Sequence, residues 1–293
     1  MSETHATARG RFSRSRASGF GASGFGLAAL AALALGGCLT DQVVERPPGR
    51  GIAEVSASDP GAAQANIESL SDVIRRNPSS PEAYNTRGAA YARLGHFQEA
   101  VDDFTQAIRL DPSNVTAYTN RALAYRQSAR NDLARTDFDR AISANPNHAP
   151  AYIGRANLLR AQGNLDQARA DLDTAIRLNP ENAQAFHARG LINQKQGDNI
   201  RAVTDFDNAI DRDPFAAAPY QARGESLVTL GKYDKAIEDF NAALNVDSKS
   251  AMTWAWLGLA YDRSGNRGKA QESYQRALSL DPSQPIAKQG LRS

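Results

Sequence analysis

From residue 60 onward, apolar and polar positions recur in blocks that repeat every 34 residues. The block 81–114 reads PEAYNTRGAAYARLGHFQEAVDDFTQAIRLDPSN, and further copies begin at residues 115, 149, 183, 217 and 251. With residue 81 as position 1, an aromatic stands at position 4: Tyr84, Tyr118, Tyr152, Phe186, Tyr220 and Trp254. Apolar or small residues at positions 4, 8 and 11 share one helical face, as do those at 20, 24 and 27, so each copy predicts a helix, a turn and a second helix. Gly95, Gly163, Gly197, Gly231 and Gly265 fall at position 15, where glycine ends a helix in a left-handed conformation without strain. Copy 2 departs from this with Ala129. The second helix ends in Asn-Pro or Asp-Pro, with Pro78, Pro112, Pro146, Pro180, Pro214 and Pro282 in register and Ser248 in the one vacant slot. Proline lacks a donor and turns the preceding residue away from helix.

A single copy cannot bury its apolar face alone, so the copies must stack. At these spacings the chain resembles the tetratricopeptide repeat (TPR) family over residues 81–284, in six copies: 81–114, 115–148, 149–182, 183–216, 217–250 and 251–284. The resemblance implies an all-α fold, a right-handed α-solenoid of antiparallel helix pairs, with a concave groove that binds peptides or other proteins.

The flanks follow the same phase. Residues 60–80 carry Ile67, Leu70, Val73 and Ile74 on one helical face and end at Asn77-Pro78, which suits a degenerate copy acting as an N-terminal cap. At the other end, the tail 285–293 is shorter than the capping helix usual in the family. The expectation is an exposed apolar surface around Tyr274, Ala277 and Leu278, open to self-association.

The first 37 residues read differently. Arg9, Arg11, Arg14 and Arg16 precede a small, apolar run that ends Leu35-Gly36-Gly37-Cys38, the layout of an export signal. The run is too short and too rich in glycine for a permanent span. Its end resembles the lipobox of bacterial lipoproteins, which implies cleavage before Cys38 and acylation of that residue as the membrane anchor. Leu39 after it implies the outer membrane, facing the periplasm. As the lone cysteine, Cys38 leaves no disulfide or zinc framework to build. Residues 39–59, rich in Pro, Gly and Ser, read as a tether able to reach on the order of 70 Å.

Charge argues against nucleic acid as a partner. The whole chain has 34 basic and 32 acidic residues, and residues 1–37 hold four of the former and one of the latter. The remainder carries 30 against 31, a formal −1, and nothing in that balance supports nucleic-acid binding, which draws on clustered positive charge. No cofactor is expected either: the glycines from Gly19 to Gly24 fit a dinucleotide-binding spacing but follow no strand. The histidines His5, His96, His148 and His187 are scattered, and no nucleophile, base and oxyanion site come together, so a non-enzymatic protein is expected, with no room for an added catalytic domain in 60–293.

Two charged columns stand out. Position 7 carries Arg87, Arg121, Arg155, Arg189 and Arg223; position 23 carries Asp103, Asp137, Asp171, Asp205 and Asp239. Copy 6 loses both at once, to Leu257 and Ser273, which predicts pairing inside each copy with a structural role. Ligand binding by these arginines is the alternative. Positions 2, 5, 9, 12 and 13 cluster on the opposite side of the first helix and vary between copies, as a recognition surface would. His187 falls there. The clamp with which some TPR proteins hold EEVD peptides would match Asn85 and Asn120 but is broken by Ala89, Pro150 and Gly154. Arg93, Arg126, Arg160 and Lys195 at positions 12 and 13 would align as a basic lane suited to an acidic segment of a partner protein. The expected function is an envelope-anchored scaffold or adaptor; the alternative is an assembly factor for a secretion, pilus or outer-membrane complex.

Overall fold

The structure, a computed structural model, describes residues 60–292. The export segment 1–37, Cys38 and the tether 39–59 lie outside the described residues. Fourteen helices and no strand make up the described part. Helix α1 (Pro60–Arg76) leads into six pairs. These are α2 (Pro81–Arg93) with α3 (Phe97–Leu110), α4 (Val115–Gln127) with α5 (Asn131–Ala144), and α6 (Ala149–Ala161) with α7 (Leu165–Leu178). Then follow α8 (Ala183–Lys195) with α9 (Asn199–Arg212), α10 (Ala217–Thr229) with α11 (Tyr233–Val246), and α12 (Ala251–Arg263) with α13 (Arg267–Leu280). A short α14 (Pro285–Gly290) closes the chain.

Local chemistry sets the boundaries. Ser80, Asn114, Asn182 and Ser250 cap their helices by accepting the amide three residues on, at 2.9–3.2 Å. At position 15 the glycines take φ of +72° to +88°, and Ala129 holds the same turn at φ +58°. An L-residue there costs about 1 kcal/mol. Each second helix leaves through an Asx turn: Asp111 accepts the Ser113 amide at 2.9 Å, and the same bond recurs at Asn145, Asn179, Asp213, Asp247 and Asp281. Because the aspartate closes the turn, copy 5 makes it with Ser248 in place of proline.

Inside a copy, the ring at position 24 lies against position 8 of the facing helix. A β-carbon on Gly88, Gly190, Gly224 or Gly258 would sit 2.5–2.8 Å from the ring of Phe104, Phe206, Phe240 or Tyr274. Copy 2 has Ala122 at position 8, and there the ring of Phe138 nestles against Gly154 of the next copy, 2.3 Å from where a β-carbon would be. Position 20 is alanine throughout and essentially inaccessible, as at Ala100, Ala134, Ala168, Ala202 and Ala236.

Curvature follows from which helices touch. The first helices of successive copies meet one another (α2 with α4, α4 with α6, and on to α12 with α14), whereas the second helices do not. The first helices therefore line the inside of a superhelical solenoid and the second helices its outside.

Both ends depart from the sequence expectations. In α1, Ile67 and Ile74 are buried and Leu70 half-buried, but Val73 is 45% exposed. Helix α1 packs on α2 alone, so a narrower apolar stripe suffices. At the C-terminus the expected open surface is absent: Tyr274 is 2% and Ala277 0% exposed, and Leu278 is partly buried. Six residues of α14 cover them because they use small groups. Ala287 is fully buried, and a β-carbon on Gly290 would lie 2.2 Å from the Tyr274 ring. The same enclosure leaves the Tyr274 hydroxyl without a hydrogen-bond partner and pushes its pKa up to about 12.

Candidate functional site

The arginines at position 7 face the seam between helices. Each chelates the aspartate of its own copy: Arg87 with Asp103, Arg121 with Asp137, Arg155 with Asp171, Arg189 with Asp205 and Arg223 with Asp239, with bonds of 2.6–2.8 Å from Nη2. The third donor, Nη1, crosses to position 25 of the preceding copy. It reaches Ser71 and Thr105 at 3.0 Å, then Asp139, Asp173 and Asp207 at 2.5–2.8 Å. The guanidinium also lies 5.6–5.8 Å from the ring at position 4 of its copy. Hydrogen bonding to the aspartate raises the pKa of Arg155, Arg189 and Arg223 above the usual guanidinium range, against the opposing effect of burial. These groups are fully engaged in the seam. Copy 6, with Leu257 and Ser273, interrupts the ladder and leaves a crevice of about 380 Å³ bordered by Trp254, Tyr261 and Lys269.

The inner face is built differently. Positions 5, 9 and 12 of each first helix point toward the neighbouring first helices and are buried or half-buried, whereas positions 2 and 13 are mostly exposed. The four basic residues of the lane thus divide. Arg93 and Lys195, at position 13, are exposed at the rim. Arg126 and Arg160, at position 12 of adjacent copies, are half-buried in the groove. Neither makes an ion pair or hydrogen bond among the described residues, and the Arg160 Nε is enclosed with no acceptor. Burial lowers the Arg126 pKa, and the charge of Arg160 lowers it further.

His187, at position 5 of copy 4, continues this surface. Its ring is half-buried 5.8 Å from that of Phe206. Burial first, and Arg160 second, bring its pKa down to about 4, so it is neutral at physiological pH and available as a hydrogen-bond partner rather than a charge. Leucines Leu123, Leu191 and Leu259 at position 9 supply apolar stretches between the polar groups.

Two acidic groups on this face escaped the sequence reading. Glu225 stands at position 9 of copy 5, and Asp262 at position 12 of copy 6. Both are half-buried and outside every ion pair among the described residues. Gln221 donates to Glu225 at 3.0 Å, yet burial still raises the Glu225 pKa. The signal was present in the register of positions 9 and 12, had acidic as well as basic members been counted. Among the described residues no group of three potential ligands gathers to hold a metal, and no helix is long and apolar enough to cross a membrane.

Several family models match the repeats. Tetratricopeptide-repeat models match residues 81–114, 115–148, 138–170, 187–244 and 221–285, and a TPR-repeat model matches 156–197, so the matches together run from 81 to 285. Among curated proteins no sequence matches. Solved structures share the fold at low identity. The APC/C hetero-tetramer Cut9–Hcn1 gives a TM-score of 0.71 at 20% identity over 79% of this chain, which spans only 46% of that one. PilF of Pseudomonas aeruginosa gives 0.67 at 17% identity, covering 74% of this chain and 98% of that one. PilW, described as a widely conserved type IV pilus biogenesis factor, gives 0.65 at 19% identity, covering 72% and 98%. YrrB, described as a TPR protein with an unusual peptide-binding site, gives 0.54 at 23% identity, covering 65% and 98%. In repeat period, helix pairing and family match, the chain belongs to the tetratricopeptide-repeat proteins.

Proposed function

We propose that this protein is a non-enzymatic adaptor of the bacterial envelope. It is anchored to the outer membrane through acylated Cys38 and takes up an acidic segment of a partner protein in its groove on the periplasmic side. The observation that carries the binding role is the pair Arg126 and Arg160: two half-buried guanidiniums side by side, with no carboxylate of their own. Desolvated cations without partners cost free energy in the free protein, and a partner's carboxylates relieve that cost through charge-assisted hydrogen bonds. The anchoring rests on the Leu35-Gly36-Gly37-Cys38 sequence and the tether behind it.

A second reading, an assembly factor for a pilus, secretion or outer-membrane complex, is favoured by the likeness to PilW and PilF, which extends to the fold. Both readings use the same groove.

Two measurements test the proposal. Membrane fractionation of the wild type and of Cys38→Ala should find the first with membranes and the second released; equal retention overturns the anchor. A fluorescein-labelled oligoglutamate peptide should bind the wild type and lose at least about tenfold in affinity for Arg126→Gln/Arg160→Gln. Unchanged affinity in that variant places recognition elsewhere.

A further inference from the structure

The charges that line the groove are sorted by sign along its length. Across positions 5, 9 and 12 of the six first helices, the ionised side chains are Arg126, Arg160, Glu225 and Asp262. The cations belong to copies 2 and 3, the anions to copies 5 and 6. Copy 4 between them contributes His187, Leu191 and Gln194, none charged at neutral pH. Gln194 donates to the Ala222 carbonyl and to Ser226 at 3.1 Å, tying that uncharged stretch to copy 5. None of the four charged groups is neutralised within the described residues.

An acidic ligand satisfies only half of this surface and meets repulsion at Glu225. From this arrangement we infer that the groove takes an extended, charge-polarised protein segment: carboxylates at Arg126 and Arg160, and lysine or arginine side chains at Glu225 and Asp262. The inference rests on the proposed binding role of the arginine pair and specifies its partner. Spacing follows from helix packing. First helices of successive copies in contact lie about 10 Å apart, so Arg160 and Glu225, two copies apart, are separated by ~20 Å along the groove. An extended chain covers that in about six residues. Charges of one sign at each end also fix the direction in which the segment lies, since the reversed orientation opposes like charges at both ends.

The test uses the full chain and three labelled synthetic peptides. The first has two glutamates, about six uncharged residues and two lysines. The second contains the same residues with glutamate and lysine alternating. The third is oligoglutamate. The polarised peptide is expected to bind at least about tenfold more tightly than its alternating isomer, a preference that Glu225→Gln/Asp262→Asn abolishes while oligoglutamate binding by that variant stays or improves. Melting curves of the variant should show no loss of stability, because both substitutions keep the side-chain shape and remove half-buried, unpaired charges. Equal binding of the polarised and alternating peptides overturns the inference and leaves the arginine pair as an acidic-segment site. A preference that persists in Glu225→Gln/Asp262→Asn overturns it as well. If none of the peptides depends on Arg126 and Arg160, the proposed function fails along with it.

Discussion

Arg155 binds Asp139 of the preceding copy through Nη1 at 2.7 Å, while its Nε and Nη2 hold Asp171 of its own copy at 2.8 and 2.7 Å. One guanidinium thus fastens helix to helix and copy to copy. The two carboxylates differ in setting: the Asp171 side chain is 10% exposed and that of Asp139 49%. Asp171→Ala should therefore destabilise by about 3 kcal/mol, since it strands a semi-buried guanidinium. Asp139→Ala should cost less than about 1 kcal/mol. Chemical denaturation of the two variants checks the ranking; equal losses would mean that the exposed bond matters as much as the enclosed one.

The contact between Gly224 and the Phe240 ring yields a second prediction. Gly224→Ala places a β-carbon 2.6 Å from a ring that is fully buried. Overpacking should cost about 2 kcal/mol, in spite of alanine's better helix propensity. Copy 3 carries the combination Ala156 and Leu172 at the same two positions, with Leu172 buried. Adding Phe240→Leu to Gly224→Ala should recover most of the loss. A double variant no more stable than the single one would refute the steric account.

Two turns can be improved. Ala129 holds φ +58°, so Ala129→Gly should stabilise by about 0.5 kcal/mol: relief of the left-handed strain exceeds the added entropy of the unfolded chain. Ser248 occupies the slot that the other copies fill with proline, and its amide donates no hydrogen bond among the described residues, so Ser248→Pro should add about 0.5 kcal/mol. Thermal unfolding of each variant, and of both together, reads these small gains.

His187 makes stability depend on pH. Its folded pKa of about 4 lies below its ordinary value of 6.5, so the unfolded chain takes up the proton first. The full contribution of the neutral ring is present above pH 6.5 and is lost as the pH falls toward about 4, by about 2 kcal/mol. Burial displaces His148 in the same direction. His187→Gln should unfold with a smaller difference in melting temperature between about pH 7.5 and about pH 4.5 than the wild type. An unchanged difference would show that His187 does not carry this dependence.

Much of the architecture is legible in the sequence because a solenoid is local. Every contact of a copy lies within itself or its neighbours, so one period, with its glycine at position 15 and its Asx-Pro exit, describes nearly the whole described chain. The joint loss of charge in copy 6 points to pairing inside a copy, and the arginines do chelate their own aspartates. Their second acceptor is not legible in the same way, because position 25 changes from Ser71 and Thr105 to Asp139, Asp173 and Asp207 while accepting the same bond. Length alone misjudges the C-terminal cap. A six-residue helix counts for little by size, but alanine and glycine at the right register bring its backbone directly onto the Tyr274 ring. Positions 12 and 13 are adjacent in sequence but about 100° apart around the helix, which leaves Arg126 and Arg160 half-buried in the groove and Arg93 and Lys195 exposed at its rim.

The interruption of the ladder at copy 6 gives the solenoid two kinds of joint. Copies 1 to 5 are riveted to what precedes them by a guanidinium, three of them through an ion pair. Copy 6 is held to copy 5 by Phe240, Leu244, Leu257 and Trp256 and by the uncharged bond from Thr253 to Gln221, with no ion pair between them among the described residues. Concentrated salt loosens the first kind, while cooling weakens the second. The order in which the copies unravel is therefore set by the solvent: from the middle of the stack when charges are screened, and from its C-terminal end in the cold.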